Sequence, residues 1–152
     1  MSKLIKLILV SFILIGCTYE PILLNKNYDF FFSEINYNGD IKINETVKET
    51  LSEKTNFGKG KELKLYFSSK KNKQNISSNR QGDATIFKIS IIINYNLIKG
   101  DEIIFKNEIT KQSTYNNIKD KFELLRYEEN IIKSLSQKSA DEMLMSITSI
   151  QK

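Results

Sequence analysis

Two alternating apolar runs hinged on Lys99-Gly100-Asp101 constrain this fold more than any other stretch. In Thr85–Leu97, Phe87, Ile89, Ile91, Ile93, Tyr95 and Leu97 recur at every second position. That period belongs to a strand with one buried face. Glu102–Tyr115 returns with Ile103, Phe105, Ile109, Ser113 and Tyr115 in register, so the pair reads as an antiparallel hairpin. At about 3.3 Å per residue each arm reaches roughly 40 Å. Its far end is expected to project beyond whatever helices cover it.

Other elements follow from local patterning. Tyr28–Tyr37 is aromatic and β-branched enough for a strand, with Phe31, Ser33, Ile35 and Tyr37 expected on one face and Asn38-Gly39-Asp40 as a turn. Ile41–Asn56 reads as a helix because Ile43, Val47 and Leu51 recur every four residues, with Asn56-Phe57-Gly58 as its stop. Leu63–Ser69 alternates again, with Leu63, Leu65 and Phe67 inward. Lys70–Asp83 is too polar to bury, and reads as a long loop or an exposed extension of a hairpin. Ile118–Ile150 lacks proline and glycine and is expected to be one long helix, capped by Asn116 or Asp120. Leu124, Ile131, Leu135, Met143, Ile147 and Ile150 form its stripe, Leu125, Ile132 and Leu144 widen it, and Glu128 and Ser139 interrupt it. Such gaps mark close approach to the sheet. The order β-α-β-β-β-α predicts an α+β two-layer sandwich, with two helices on one face of a four-stranded sheet.

The amino terminus has a separate logic. Lys3 and Lys6 precede an apolar run from Leu4 to Ile15, which ends at Leu14-Ile15-Gly16-Cys17. A basic start, a short apolar core and a small residue before the cut describe a secretory signal peptide. The run is too short for a membrane span, which needs about 20 apolar residues. Leu14-Ile15-Gly16-Cys17 resembles the lipobox of bacterial lipoproteins. The expected division is therefore a signal peptide over 1–16, a lipidated tether over 17–27 and a domain over 28–152. Cys17 would be acylated, and Thr18 after it favours the outer membrane over retention at the inner one. Cys17 is the only cysteine, so an exported domain must rest on packing alone.

Composition removes several chemistries. The chain has no histidine, which excludes Ser-His-Asp and Cys-His catalysis and histidine-ligated zinc. Gly58-Lys59-Gly60-Lys61 lacks the flanks of a phosphate loop, and no carboxylate pair is marked for acid–base work. The expectation is a non-enzyme with no catalytic residue, no metal and no cofactor. Tyr66, Phe67, Tyr95 and Phe105 would suit base stacking, but export removes nucleic acid as a partner. Most cations are lysine, as a biased genome produces, with Arg80 and Arg126 the only arginines.

The carboxy-terminal half carries a further signal. Tyr95-Asn96-Leu97, Lys99-Gly100-Asp101, Ser113-Thr114-Tyr115-Asn116, Phe122, Glu128-Glu129 and Ser139-Ala140-Asp141-Glu142-Met143 resemble short motifs of the LPS-assembly lipoprotein family, the LptE-like proteins. Ile86 stands where that family would have arginine, and Glu123, Tyr127, Ile131 and Ser139 replace its small or apolar residues. The resemblance implies an outer-membrane lipoprotein that partners and plugs the LPS-assembly β-barrel (LptD), assists its assembly, and helps carry lipopolysaccharide to the outer leaflet. Under it, Lys70, Lys71, Lys73 and Arg80 would bind lipopolysaccharide phosphates or the barrel's acidic wall; the plainer reading is a solvated lysine-rich segment. The alternative function is a lipoprotein holding a lipid or small ligand in its own pocket.

Overall fold

A run of three phenylalanines opens strand β1 (Phe30–Gly39), which leads through helix α1 (Ile41–Lys54) into strand β2 (Lys61–Ser78). Strands β3 (Ala84–Lys99) and β4 (Glu102–Asn116) follow, and helix α2 (Lys121–Ile150) closes the chain. The computed structural model describes residues 28–55 and 58–151. The expected signal peptide, the tether and Cys17 lie outside them, as does most of the Asn56-Phe57-Gly58 stop.

The sheet order is β1-β2-β3-β4, with β1 parallel to β2 and the other pairs antiparallel. Both helices cover one face, giving the α+β sandwich in the expected order. Cross-strand rows such as Leu65–Leu97–Phe105 and Ser69–Ile93–Ile109 put the alternating residues of β2, β3 and β4 on that inner face. Ile43, Val47 and Leu51 of α1 and Met143, Leu144 and Ile147 of α2 are fully buried against them. Lys42 with Glu129 and Lys54 with Asp141 tie the helices at two points. The two pairs step by the same twelve residues on each helix, so α1 and α2 run parallel for about 18 Å.

Several expectations are corrected. The register of β1 slips between Phe32 and Glu34, leaving Ser33 as an unpaired bulge residue. Phe30 and Phe32 therefore face the core before it and Ile35 after it, so Phe31 and Ile35 do not share a face. A second slip between Leu97 and Ile98 pairs Ile98 with Ile103, which takes Ile103 out of the inward row. Of the two readings of Lys70–Asp83, the structure has the exposed hairpin extension and not the loop: Lys70–Ser78 continues β2 against β3 to a tight turn at 79–83. Helix α1 stops at Lys54, where Thr55 bonds back to the Leu51 carbonyl through both its N–H and its hydroxyl. Helix α2 starts at Lys121 and not at Ile118; of the two expected caps it is Asp120, whose carboxylate accepts from the Phe122 and Glu123 N–H groups, while Asn116 belongs to β4. Leu125 and Ile150, placed on the buried stripe by spacing, are exposed.

Candidate interaction surface

The β1–α1 turn sets the geometry of everything beyond it. Asp40 caps α1 by accepting from Ile43 N–H at 3.3 Å, while its own N–H donates to the Ser69 carbonyl at 3.4 Å. The Ser69 hydroxyl donates to Asn44 Oδ1 at 2.6 Å, which satisfies a buried amide. Gly39, at φ +105°, is the last residue of β1 to pair, with Ser69. From Lys70 to Ser78, β2 runs on with β3 as its only described neighbour.

This extension separates the four expected cationic site residues. Lys71 and Lys73 point to the helix side. Lys71 Nζ lies 3.3 Å from Asp40 Oδ2. Lys73 Nζ lies 2.6 Å from Glu128 Oε1 and 4.4 Å from the centre of the Phe87 ring. Lys70 alternates to the outer face, and Arg80 sits at the exposed hairpin tip. The set does not converge on one point: two members already hold carboxylates, and two face solvent.

Glu128, an interruption in the helical stripe, is the residue that sequence spacing failed to place. Its Oε1 accepts from the Tyr115 hydroxyl at 2.6 Å as well as from Lys73. Tyr115 packs between Phe87 and Tyr127, with ring centroids 5.7 and 5.9 Å away. Burial first, and then the Glu128 hydrogen bond and charge, push the Tyr115 hydroxyl far above its ordinary 10.0. The Tyr115 hydroxyl thus stays a donor to Glu128 beyond the ordinary tyrosine range, and the trio clamps the first turns of α2 to the β2–β3–β4 extension. A polar residue breaking an apolar stripe was the available signal; its partners were not.

On the open sheet face, Asn36, Asn38, Tyr66, Ser68, Asn94 and Asn96 line a shallow cleft of about 330 Å³. It carries hydrogen-bonding groups and no formal charge. Among the described residues, no group of three carboxylate or thiol side chains is placed to hold a metal ion. No described helix is long and apolar enough to cross a membrane.

No family's sequence profile matches the chain, and no curated protein matches it as a relative. Solved structures do share its fold. Rare lipoprotein B from Shewanella oneidensis superposes with a TM-score of 0.61 at 13% identity, over 78% of this chain and 96% of that one. Uncharacterized lipoprotein B from Nitrosomonas europaea gives 0.59 at 12% identity, over 84% and 90%. A minor lipoprotein from Acinetobacter baumannii gives 0.58 at 10% identity, over 84% and 96%. At such identities the likeness establishes a common fold.

Proposed function

We propose that this chain is an outer-membrane lipoprotein, anchored through acylated Cys17, that partners and plugs the LPS-assembly β-barrel (LptD) and assists lipopolysaccharide transport to the outer leaflet. The observation that carries the reading is the fold shared, over more than three quarters of the chain, with proteins named as lipoproteins. It joins a sequence whose first residues have the pattern of a lipoprotein signal.

Physical form supports the same reading. The sandwich interior is filled by side chains with almost no exposure, which favours a surface partner over a ligand held in an internal pocket. The polar open sheet face suits a wet barrel lumen, which large outer-membrane barrels possess. The described residues begin at Tyr28, and Lys61 contacts both Asp29 and Gln151, so their two ends meet at one pole. The β2–β3 hairpin tip lies at the other. An anchor at Cys17 tethers the first pole within about 40 Å of the bilayer and leaves the hairpin to reach away from it. A lipidated cysteine of this class carries several acyl chains, and stable attachment needs more than one. Lipopolysaccharide phosphates, where contacted, would meet Lys70 and Arg80, because Lys71 and Lys73 already hold Asp40 and Glu128.

Purification through a tag after Lys152 from detergent-solubilised membranes, followed by mass spectrometry, tests the reading. The expected result is a stable complex with a large β-barrel, and a mature chain that starts at Cys17 with added acyl mass. A monomer carrying a small ligand would overturn the partnership. Within the complex, joint Lys70→Glu and Arg80→Glu substitution is expected to weaken lipopolysaccharide binding without unfolding; unchanged binding removes these two residues from the account.

A further inference from the structure

The outer half of β2 has no described strand along one side. Strand β1 leaves the sheet at Gly39, opposite Ser69, and no described strand lies against Lys70–Ser78 on that side. Backbone N–H and C=O groups alternate between the two edges of a strand. The Ser69 carbonyl points toward β1, since it accepts from Asp40 N–H. By alternation Lys71, Lys73 and Asn75 present their N–H and C=O groups to the empty side, while Lys70, Asn72 and Gln74 bond to β3. The register slip after Asn75 ends the row at Ile76.

The helix layer is vacated at the same place. Lys42, at the start of α1, meets Glu129 of α2, so the first turns of α2 extend past the end of α1. Leu125 and Phe122 lie one and two turns before Glu129 on that flank, 55% and 83% exposed. Ile41 at the head of α1 and Ile76 on β2 are also exposed. The missing position in the sheet thus adjoins an apolar shelf in the layer above it.

Charge selects the occupant. From Lys70 to Gly82 the chain carries four cations and no carboxylate; Lys71 and Lys73 are held by Asp40 and Glu128, which leaves Lys70 and Arg80 with no carboxylate partner among the described residues. Lysines and a bulge on an exposed edge are the means by which proteins prevent edge-to-edge pairing of identical copies. Lys70 on the outer face and Arg80 at the tip attract an acidic strand whose carboxylates lie on that outer face. We infer that the Lys70–Asn75 edge of β2 is a strand-addition site for an extended acidic polypeptide segment, with apolar side chains on its helix-facing side resting on Leu125 and Phe122. The inference does not rest on the barrel reading; it concerns how a polypeptide is received, whichever protein supplies it.

Fluorescence anisotropy of labelled peptides on the full chain in detergent provides the test. A short peptide of alternating valine and glutamate is expected to bind, and its valine–lysine counterpart is not. Lys71→Pro deletes an N–H from the empty edge without touching the β3 ladder, where proline is tolerated. It is expected to weaken the acidic peptide about tenfold or more with an unchanged circular dichroism spectrum. Lys71→Gln keeps the N–H and loses the charge that holds Asp40, so its loss should be smaller. Equal binding of both peptides, full binding by Lys71→Pro, or a peptide-free dimer paired through this edge would each overturn the inference. Failure to recover a barrel bears on the function proposed above and leaves this result standing.

Discussion

A methyl group at residue 39 would stand 2.0 Å from the Ser69 carbonyl oxygen, on a backbone already at φ +105°. Both penalties act together, because the obstacle is backbone and the left-handed conformation disfavours a side chain. Gly39→Ala is expected to cost at least about 2 kcal/mol in urea unfolding. Two tyrosines make a contrasting pair. The Tyr115 hydroxyl donates to a carboxylate, and Tyr115→Phe should cost about 1.5–3 kcal/mol. The buried Tyr28 hydroxyl has no partner among the described residues, so Tyr28→Phe should fall within about 0.5 kcal/mol of neutral or stabilise. Burial first, then nearby carboxylate charge, raises both hydroxyls above 10.0 in the folded state. A raised phenol keeps its proton when folded and loses it when unfolded between the two values, so stability falls as pH rises. Their contribution is complete below pH 10 and should decline above it, and Tyr115→Phe should flatten that decline. Denaturant midpoints across alkaline pH measure it. Periodicity marked Tyr115 as inward, but its bond to Glu128 depends on how α2 leaves the last strand.

Within the elements, the small-residue gap in α2 has a concrete role. Ser136, Ser139 and Ala140 have no exposed surface, and the two hydroxyls return to the Ile132 and Leu135 carbonyls of their own helix. Ser139 therefore contributes little bulk and no long-range hydrogen bond. Ser139→Ala should change stability by less than about 0.5 kcal/mol, whereas Ser139→Leu should cost about 1–3 kcal/mol by overpacking. Thermal unfolding separates the two. Helix faces were legible to this degree because a 3.6-residue period is local. The strand bulges were not: one inserted residue reverses every later side chain, and nothing in FFFSEINY or EIIF announces where the partner strand skips. Leu125 shows the same limit, since it has buried spacing but lies beyond the end of α1, where nothing described covers it.

For the whole molecule, the sheet is unevenly protected. Strand β3 is paired on both sides and buried through Ile89, Ile91, Ile93, Tyr95 and Leu97. The outer half of β2 is paired on one side and exposed. Amides of Ile89–Leu97 are expected to exchange last, those of Lys71, Lys73 and Asn75 early, and those of Asn72 and Gln74 between them. Residue-resolved hydrogen exchange reads this alternation directly, and uniform protection along β2 would contradict the empty edge. The sequence alone determined the element order, the inward faces of β3 and the first part of β2, and the two helices, because each is written in spacings shorter than one element. The tertiary structure alone decided that β1 stops at Gly39, opposite Ser69, that Lys71 and Lys73 are held by carboxylates while Lys70 and Arg80 are not, and that α2 outruns α1. Those outcomes depend on which distant segments meet, and local periodicity carries no information about that.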